Sequence, residues 1–148
     1  MIITVFEDNN HSSLFPLNQI RASFELRCGA FTNLERIQNS IQNEDEIQLL
    51  VRDEIKEVVQ QRYPNFIVNP NVLSKGIWLN GAALWSDKHI NDIASPRTYT
   101  NKNKILALHS DESIPFELRY DFIQQSASVS IEFDIPFIHN SWDAIYLQ

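Results

Sequence analysis

Cysteine, glycine and long apolar runs are all scarce in this sequence. Among its 148 residues there are one cysteine, Cys28, and three glycines. One cysteine excludes an internal disulfide framework and a cysteine-rich zinc cluster, and it makes the cytoplasm the natural compartment. The opening residues, MIITVFEDNN, lack a basic segment, and their apolar run is too short for a signal peptide. No segment reaches the ~20 apolar residues of a membrane span.

Basic residues are also in the minority. Lysine and arginine number 12, against 19 aspartates and glutamates, which gives a net charge of −7. This acidic balance argues against broad binding to nucleic acid phosphates or to anionic membranes. A local basic pocket for an anionic ligand remains compatible with it. A chain of this length is most simply one domain, here residues 1–148, and it buries roughly two thirds of its unfolded surface.

Apolar runs and helix signals alternate along the first half of the chain. A T-x-x-E capping box at Thr32 and Glu35 predicts a helix after the first run. A second helix is predicted after the second run, capped by Asp53 and stopped by Pro64. The order β–loop–α–β–α predicts an α/β fold with a mostly parallel sheet. The runs that predict buried strands are Ile2–Phe6, Ile47–Val51 and, further along, Lys104–His109.

The second half of the chain adds antiparallel and irregular segments. The polar residues 101–103 divide the run Arg97–His109 and predict an antiparallel hairpin. A helix is predicted at Ser113–Gln125, with a proline in its first turn. Apolar residues that alternate from Val129 to Ile135 predict a half-buried strand.

Two arginines, Arg21 and Arg27, lie in the loop after the first predicted strand, and Gly29 follows them. Ligands of α/β proteins bind beyond the carboxyl ends of parallel strands, so this loop is in position to meet one. Guanidinium groups bind phosphates through paired hydrogen bonds. The alternative is that the arginines hold the loop to acidic neighbours or backbone carbonyls. That alternative is favoured for Arg27, which has Glu25 close in sequence, and the two roles are balanced for Arg21.

The remaining candidate ligand-binding residues are Asn80 and Gly81. For Gly29 and Gly81 a turn is the favoured role, and Asn-Gly is a common turn pair. The four histidines are too scattered for a metal site, and Cys28 reads as a small buried residue. The three tryptophans are typical of core packing or a domain interface. No catalytic residue and no metal ligand can be named.

An ordered set of short motifs runs through nearly the whole chain. It comprises Pro16-Leu17, Arg21, Arg27 with Gly29, Asn80-Gly81 and Trp142-Asp143. In this set the chain resembles sugar-nucleotide pyrophosphorylases (sugar-1-phosphate nucleotidylyltransferases). It resembles more closely a divergent nucleotidyltransferase-like domain that precedes a left-handed β-helix acetyltransferase-like domain in some bacterial proteins. The resemblance implies a shortened, Rossmann-like three-layer nucleotidyltransferase scaffold, whose mixed, mostly parallel sheet carries an antiparallel hairpin.

Three parts of the machinery of active pyrophosphorylases differ in this sequence. Their glycine-rich phosphate loop is replaced by EDNNHSSLF, residues 7–15, which has two carboxylates and no glycine. Their arginine-proline-lysine triplet reads Arg21-Ala22-Ser23, so the lysine is missing. The aspartate that holds their metal after a glycine is Ala82 here. An alanine cannot hold the magnesium ion that these transfers need.

The function expected from the resemblance is that of a degenerate sugar nucleotidyltransferase-like domain. It would bind a sugar phosphate or nucleotide, or assemble with a partner, without standard catalysis and without an assured cofactor. One alternative is an active sugar-1-phosphate nucleotidylyltransferase with altered site chemistry, which would use Mg²⁺. The other is a purely structural interaction module.

The last residues of the sequence, SWDAIYLQ, are unusually apolar for a free chain end. Trp142, Ile145 and Tyr146 have the i, i+3, i+4 spacing of one helical face. Large exposed apolar patches are uncommon on monomers. The face could pack on this domain's own sheet or on something that follows it. We expect that the chain is the N-terminal part of a longer protein, with the face packed on a following domain such as the β-helix acetyltransferase-like one, or that the chain forms a homo-oligomer through it.

Removal of residues 142–148 should therefore change the association state or the solubility of the chain. Sedimentation of the 148-residue chain, beside the same chain ended at Ser141, measures the effect. A full chain that is strictly monomeric, together with a shortened one that is equally soluble and equally stable, would show that the tail carries no interface.

Overall fold

The computed structural model describes residues 1–8, 15, 19–42, 44–93, 97–127, 130–138 and 143. The predictions made for Pro16-Leu17, Val129, Trp142 and the residues after Asp143 lie outside the described residues. The strands are β1 (Ile2–Phe6), β2 (Arg27–Cys28), β3 (Phe31–Thr32), β4 (Glu46–Leu50), β5 (Ile67–Val68), β6 (Val72–Leu73), β7 (Gly76–Asn80), β8 (Thr98–Asn101), β9 (Lys104–Ser110), β10 (Ile114–Pro115) and β11 (Ser130–Glu132). The α-helices are α1 (Asn33–Ser40), α2 (Lys56–Arg62), α3 (Asp87–Asn91) and α4 (Arg119–Ser126). Short 3₁₀ helices occupy Ser23–Glu25, Asp53–Ile55 and Phe116–Leu118.

A seven-stranded sheet forms the centre of the fold, in the order β11-β8-β9-β7-β1-β4-β5. The four strands β7, β1, β4 and β5 run parallel to one another. β9 is antiparallel to both β7 and β8, and β11 lies parallel to β8 at the edge. The predicted mixed, mostly parallel sheet with an antiparallel hairpin is confirmed.

Alternate residues of the buried strands face two separate clusters of apolar side chains. Val5 of β1 belongs to the cluster that contains Leu34 of α1 and Val59 of α2. Its neighbour Phe6 belongs to the other cluster, with Ile123 of α4. Because successive strand residues point to opposite faces, the sheet is covered on both sides. The result is the predicted three-layer α/β scaffold, in which the central strands are buried on both faces.

The helix starts show where local signals hold and where they fail. The predicted capping box of α1 is confirmed: the Thr32 hydroxyl accepts from Glu35 N at 3.1 Å, and the Glu35 carboxylate accepts from Thr32 N at 2.7 Å. Asp53 does not cap α2 as predicted. It begins a 3₁₀ turn instead, and α2 starts after Ile55, which makes no side-chain capping bond.

The hairpin between β8 and β9 turns at Lys102 and Asn103. Both residues have positive φ, at 47° and 66°. Positive φ at both central positions is the mark of a type I′ turn, whose twist matches that of antiparallel strands. The polar segment 101–103 therefore predicted both the hairpin and its position.

The last described strand is shorter and more exposed than predicted. β11 spans only Ser130–Glu132, and its central Ile131 is 36 % exposed. Beyond it the chain leaves the sheet edge, and residues 136–138 run beside residues 82–84, with Ile138 N donating to Ala82 O at 2.9 Å. Ile135, which follows β11, is buried. The alternating apolar residues of the sequence therefore belong partly to an exposed edge strand and partly to a buried segment after it.

None of the helices formed by the described residues has the length and apolar character needed to cross a membrane.

The close packing at Gly81 generates a stability prediction. A Cβ added there would lie 2.7 Å from Phe24 Cβ and 3.1 Å from Phe24 N, and that backbone belongs to a buried 3₁₀ turn. Gly81→Ala should therefore lower the free energy of unfolding by about 1–3 kcal/mol through overpacking. Urea denaturation monitored by tryptophan fluorescence measures it, and an unchanged transition midpoint would contradict the close contact.

Candidate functional site

The sheet order changes direction at β1, which lies between β4 and β7. In open α/β sheets ligands bind at such a switch point, beyond the carboxyl ends of the strands. Glu7 and Asp8 follow β1, and Asn80 and Gly81 lie at the end of β7. The structure therefore places two of the predicted site residues, Asn80 and Gly81, at the switch point.

Asn80 is fully buried, and its side chain is satisfied on both sides. The amide nitrogen donates to Asp8 Oδ2 at 3.0 Å and to the carbonyl of Ile105 at 2.9 Å. The amide oxygen accepts from Ala82 N at 2.9 Å. Its backbone carbonyl accepts from the Trp85 indole nitrogen at 2.9 Å. Asn80 thus bridges the crevice between β1 and β7 and fixes the position of the Asp8 carboxylate.

Gly81 and Ala82 continue this edge with backbone contacts. Gly81 N donates to Phe6 O at 2.8 Å, and its carbonyl accepts from the Asn33 side chain at 2.8 Å. Ala82 is buried, and its methyl group stands where the resemblance places a metal-binding aspartate. Its backbone carbonyl accepts from Ile138 N. This segment is therefore held from both sides by hydrogen bonds.

A cavity of about 280 Å³ opens beside Asp8, on the α4 side of the sheet. Its most buried lining residues, Phe6 and Ile123, are apolar, and the other lining residues include charged and polar ones. Small-ligand sites commonly combine apolar walls with a few polar residues. The lining residues are Phe6, Asp8, Asn103, Lys104, Ile105, Tyr120, Ile123 and Gln124.

On the other side of β1 the Glu7 carboxylate is buried, at 3 % exposure. Its Oε1 lies 2.5 Å from Arg52 Nη1, and Arg52 itself is buried at the end of β4. Backbone N–H groups of Ser23 and Arg52 also donate to the carboxylate, each at 3.3 Å. Arg52 Nη2 donates in turn to the carbonyl of Gln19 at 3.3 Å.

A second buried carboxylate, Glu25, repeats this arrangement. Its Oε1 lies 2.8 Å from Arg62 Nε, and Ala22 N donates to Oε2 at 2.7 Å. Arg62 also donates to the carbonyl of Ile20. Burial raises the pKa of Glu25 above its usual value, although the Ala22 N–H, Arg62, Arg21 and a Tyr63 hydrogen bond act in the opposite direction. Arg52 therefore links Glu7 to the carbonyl of Gln19, and Arg62 links Glu25 to the carbonyl of Ile20. Both carbonyls belong to the segment Gln19–Leu26.

The predicted arginines lie in two different settings. Arg21 is exposed, and its charge lies close enough to Glu25 to stabilise the carboxylate. Arg27 is exposed in the β2–β3 hairpin and donates to the carbonyl of Ala30. Gly29 occupies the same turn with φ of 78°. Arg27 and Gly29 therefore form part of a hairpin. Arg21 lies in the segment Gln19–Leu26, which covers the ends of β1 and β4.

Sequence reasoning missed most of this edge. The sequence shows Glu7 and Asp8 only as two carboxylates in place of a glycine-rich loop, whereas Glu7 is buried beside Arg52 and Asp8 lines a cavity. Lys104 lies in a predicted strand and Tyr120 in a predicted helix, and neither is predicted to bind a ligand. The available signal was topological, since residues that directly follow a central parallel strand lie at the ligand edge.

Other sequence features have structural roles among the described residues. Cys28 is buried and free, and Trp78 and Trp85 are buried in the core, as predicted. His109 lies 3.4 Å from the exposed Asp111 in an ion-pair geometry. Within the described ranges, no group of three or more histidine, cysteine, aspartate or glutamate side chains could hold a metal ion.

Comparison with known protein families gives one match. A family model described as sugar nucleotidyl transferase matches residues 3–147, which is nearly the whole chain. None of the curated proteins compared with the chain matches it.

The raised pKa of Glu25 generates a prediction about stability and pH. In the folded protein burial raises this pKa above its usual value of 4.5, so the folded state holds its proton to higher pH than the unfolded chain. Stability contributed by Glu25 is then full below pH 4.5 and falls as the pH rises through the raised pKa. Glu25→Gln cannot ionise and should lack this fall.

Urea denaturation of both proteins at pH values from 4 to 7 measures the difference in unfolding free energy. The wild type should lose stability relative to Glu25→Gln as the pH rises. Glu57→Gln, at an exposed position of α2, is the matched control for loss of one carboxylate. A difference in unfolding free energy between the two proteins that stays constant with pH, or that grows in favour of the wild type, would contradict the raised pKa of Glu25.

Proposed function

We propose, starting from the fact that this chain belongs to the sugar nucleotidyl transferase family, that the domain is a binding module for a sugar phosphate or nucleotide. The ligand would bind at the carboxyl edge of the sheet, beside the β1–β7 switch point. The domain would not catalyse nucleotidyl transfer by the standard mechanism.

The observation that carries this proposal is the residue after Gly81. In the resemblance described above, this position holds the metal-binding aspartate, and here it is Ala82, buried and fixed by backbone hydrogen bonds. A methyl group cannot supply the oxygen ligand that Mg²⁺ requires. Without it the charge that develops on the transferred phosphoryl group lacks its usual stabilisation.

The cavity beside Asp8 supports the binding part of the proposal. Lys104 offers a cation for a phosphate group, and Asp8 and Gln124 can accept or donate hydrogen bonds to sugar hydroxyls. Tyr120 offers an aromatic face, and the floor formed by Phe6 and Ile123 is apolar. The volume of about 280 Å³ is close to the lower end for small-ligand sites, which fits a monosaccharide phosphate.

An active enzyme with altered site chemistry is the second candidate, because of Asp8. This carboxylate lies at the switch point, and Mg²⁺ in phosphoryl transfer is often held by only one or two carboxylates besides the substrate phosphates. Asp8 would be one such ligand, although its Oδ2 already accepts from Asn80. Ala82 supplies no second carboxylate, so the described residues do not form the expected metal site.

Assembly is the third part of the proposal. A following β-helix acetyltransferase-like domain, or a second copy of this chain, would cover the apolar tail. A bacterial source and a cytoplasmic location are part of the same proposal and follow from the resemblance and from the single, free cysteine.

The wild-type protein should bind hexose-1-phosphates or the corresponding nucleoside diphosphate sugars. It should release no pyrophosphate from a nucleoside triphosphate and a hexose-1-phosphate in the presence of Mg²⁺. Isothermal calorimetry across a sugar panel measures the first, and a coupled pyrophosphate assay measures the second. Lys104→Ala should weaken binding about 10-fold or more, because a hydrogen bond to a charged group contributes ~1.5–3 kcal/mol. Lys88→Ala, on the exposed side of α3, is the matched control.

Arg21→Ala separates the two candidate surfaces. It should leave folding nearly intact, within ~0.5 kcal/mol, since Arg21 is exposed. Binding that is lost in Arg21→Ala and kept in Lys104→Ala would assign the ligand to the arginine segment instead of the cavity. Pyrophosphate release that depends on protein and metal would refute the absence of catalysis, and loss of that activity in Asp8→Asn would support the second candidate.

A further inference from the structure

The surroundings of the Glu7 carboxylate are those of a bound anion. Three donors converge on its two oxygens: the Arg52 guanidinium and the backbone N–H groups of Ser23 and Arg52. The carboxylate and the guanidinium are both nearly excluded from solvent. Backbone amides together with an arginine are the donors that proteins use for phosphate, sulfate and carboxylate ligands.

The place of this cluster in the fold strengthens the comparison with a ligand. Glu7 directly follows β1, and Arg52 lies just beyond β4, the parallel strand next to it. The donors therefore meet at the carboxyl edge of two adjacent parallel strands, where α/β folds place the anionic groups of their ligands. Here the anion is supplied by the chain itself.

We propose that Glu7 is a built-in anion: its carboxylate fills an oxyanion-binding position formed by Arg52 and the N–H groups of Ser23 and Arg52. In the native chain this position is closed to ligand phosphates. A phosphorylated ligand must then reach its cation elsewhere on the carboxyl edge. The Glu7 position lies at the ends of β1 and β4, whereas the cavity of the proposed function lies on the α4 side. Ligand binding in the cavity and anion binding at the Glu7 position can therefore be tested separately.

The built-in anion also organises the chain around it. The N–H of Ser23 belongs to the buried 3₁₀ turn at Ser23–Glu25, and Arg52 Nη2 holds the carbonyl of Gln19. Removal of the carboxylate takes away an acceptor of the buried Arg52 Nη1 and of two inward N–H groups, which is strongly unfavourable. A small carboxylate added to the solution can restore those contacts and should bind the folded state selectively.

Chemical rescue tests the proposal. Glu7→Ala opens the position by removing the carboxylate and leaving space for formate, which has the same two oxygens. Thermal unfolding should occur well below that of the wild type in sodium chloride. Its midpoint should rise in sodium formate of equal ionic strength, by ~3 °C or more, and saturate with formate concentration. The wild type should show no formate-specific shift, because its position is already filled.

Two variants complete the design. Val59→Ala removes buried apolar volume and should respond equally to formate and chloride, which controls for general salt effects on a destabilised protein. Glu7→Gln keeps the volume of the side chain and should not respond to formate. The proposal is overturned if formate stabilises Glu7→Ala no more than chloride does. It is overturned equally if Glu7→Ala stays unfolded at every formate concentration while Glu7→Gln folds.

Discussion

Two buried carboxylate–arginine pairs hold the carboxyl edge of this sheet together. Glu7 with Arg52 and Glu25 with Arg62 each neutralise a charge that burial would otherwise disfavour, and each arginine also binds a carbonyl of the segment Gln19–Leu26. The segment carries too little regular structure to hold itself in place. Its position over β1 and β4 is fixed by these long-range polar contacts together with the burial of Ala22 and Phe24, and Phe24 packs closely on Gly81.

The same contacts divide the edge into two halves with different properties. On the α1 and α2 side the two carboxylates are buried, and each is paired with an arginine. On the α4 side, Asp8 and Lys104 border a cavity with an apolar floor. Asn80 lies between the halves and reaches Asp8, Ile105 and the backbone of Ala82.

Sequence patterns predicted those features that depend on neighbouring residues. The strand β1, the capping box of α1 and the turn at 101–103 were correct because each is set by local sequence. Partners far apart in the chain could not be predicted: 45 residues separate Glu7 from Arg52, and 37 separate Glu25 from Arg62. The cavity could not be predicted either, because its lining comes from β1, β9 and α4, whose relative positions are not set by local sequence. β11 was misjudged because one alternating run spans a sheet edge and a segment packed beneath it.

The placement of β1 also governs the order in which the domain can be made. Among the described strands it is the first in chain order, yet it lies inside the parallel part of the sheet, between β4 and β7. Its partners arrive late, since Ile3 pairs with Ile47 on one side and with Ile77 on the other. Until the second of these has been synthesised, a nascent chain carries an apolar strand with one edge unpaired, the condition in which strands associate with other chains. Translation past Asn80 is therefore the event after which both edges of β1 can be paired.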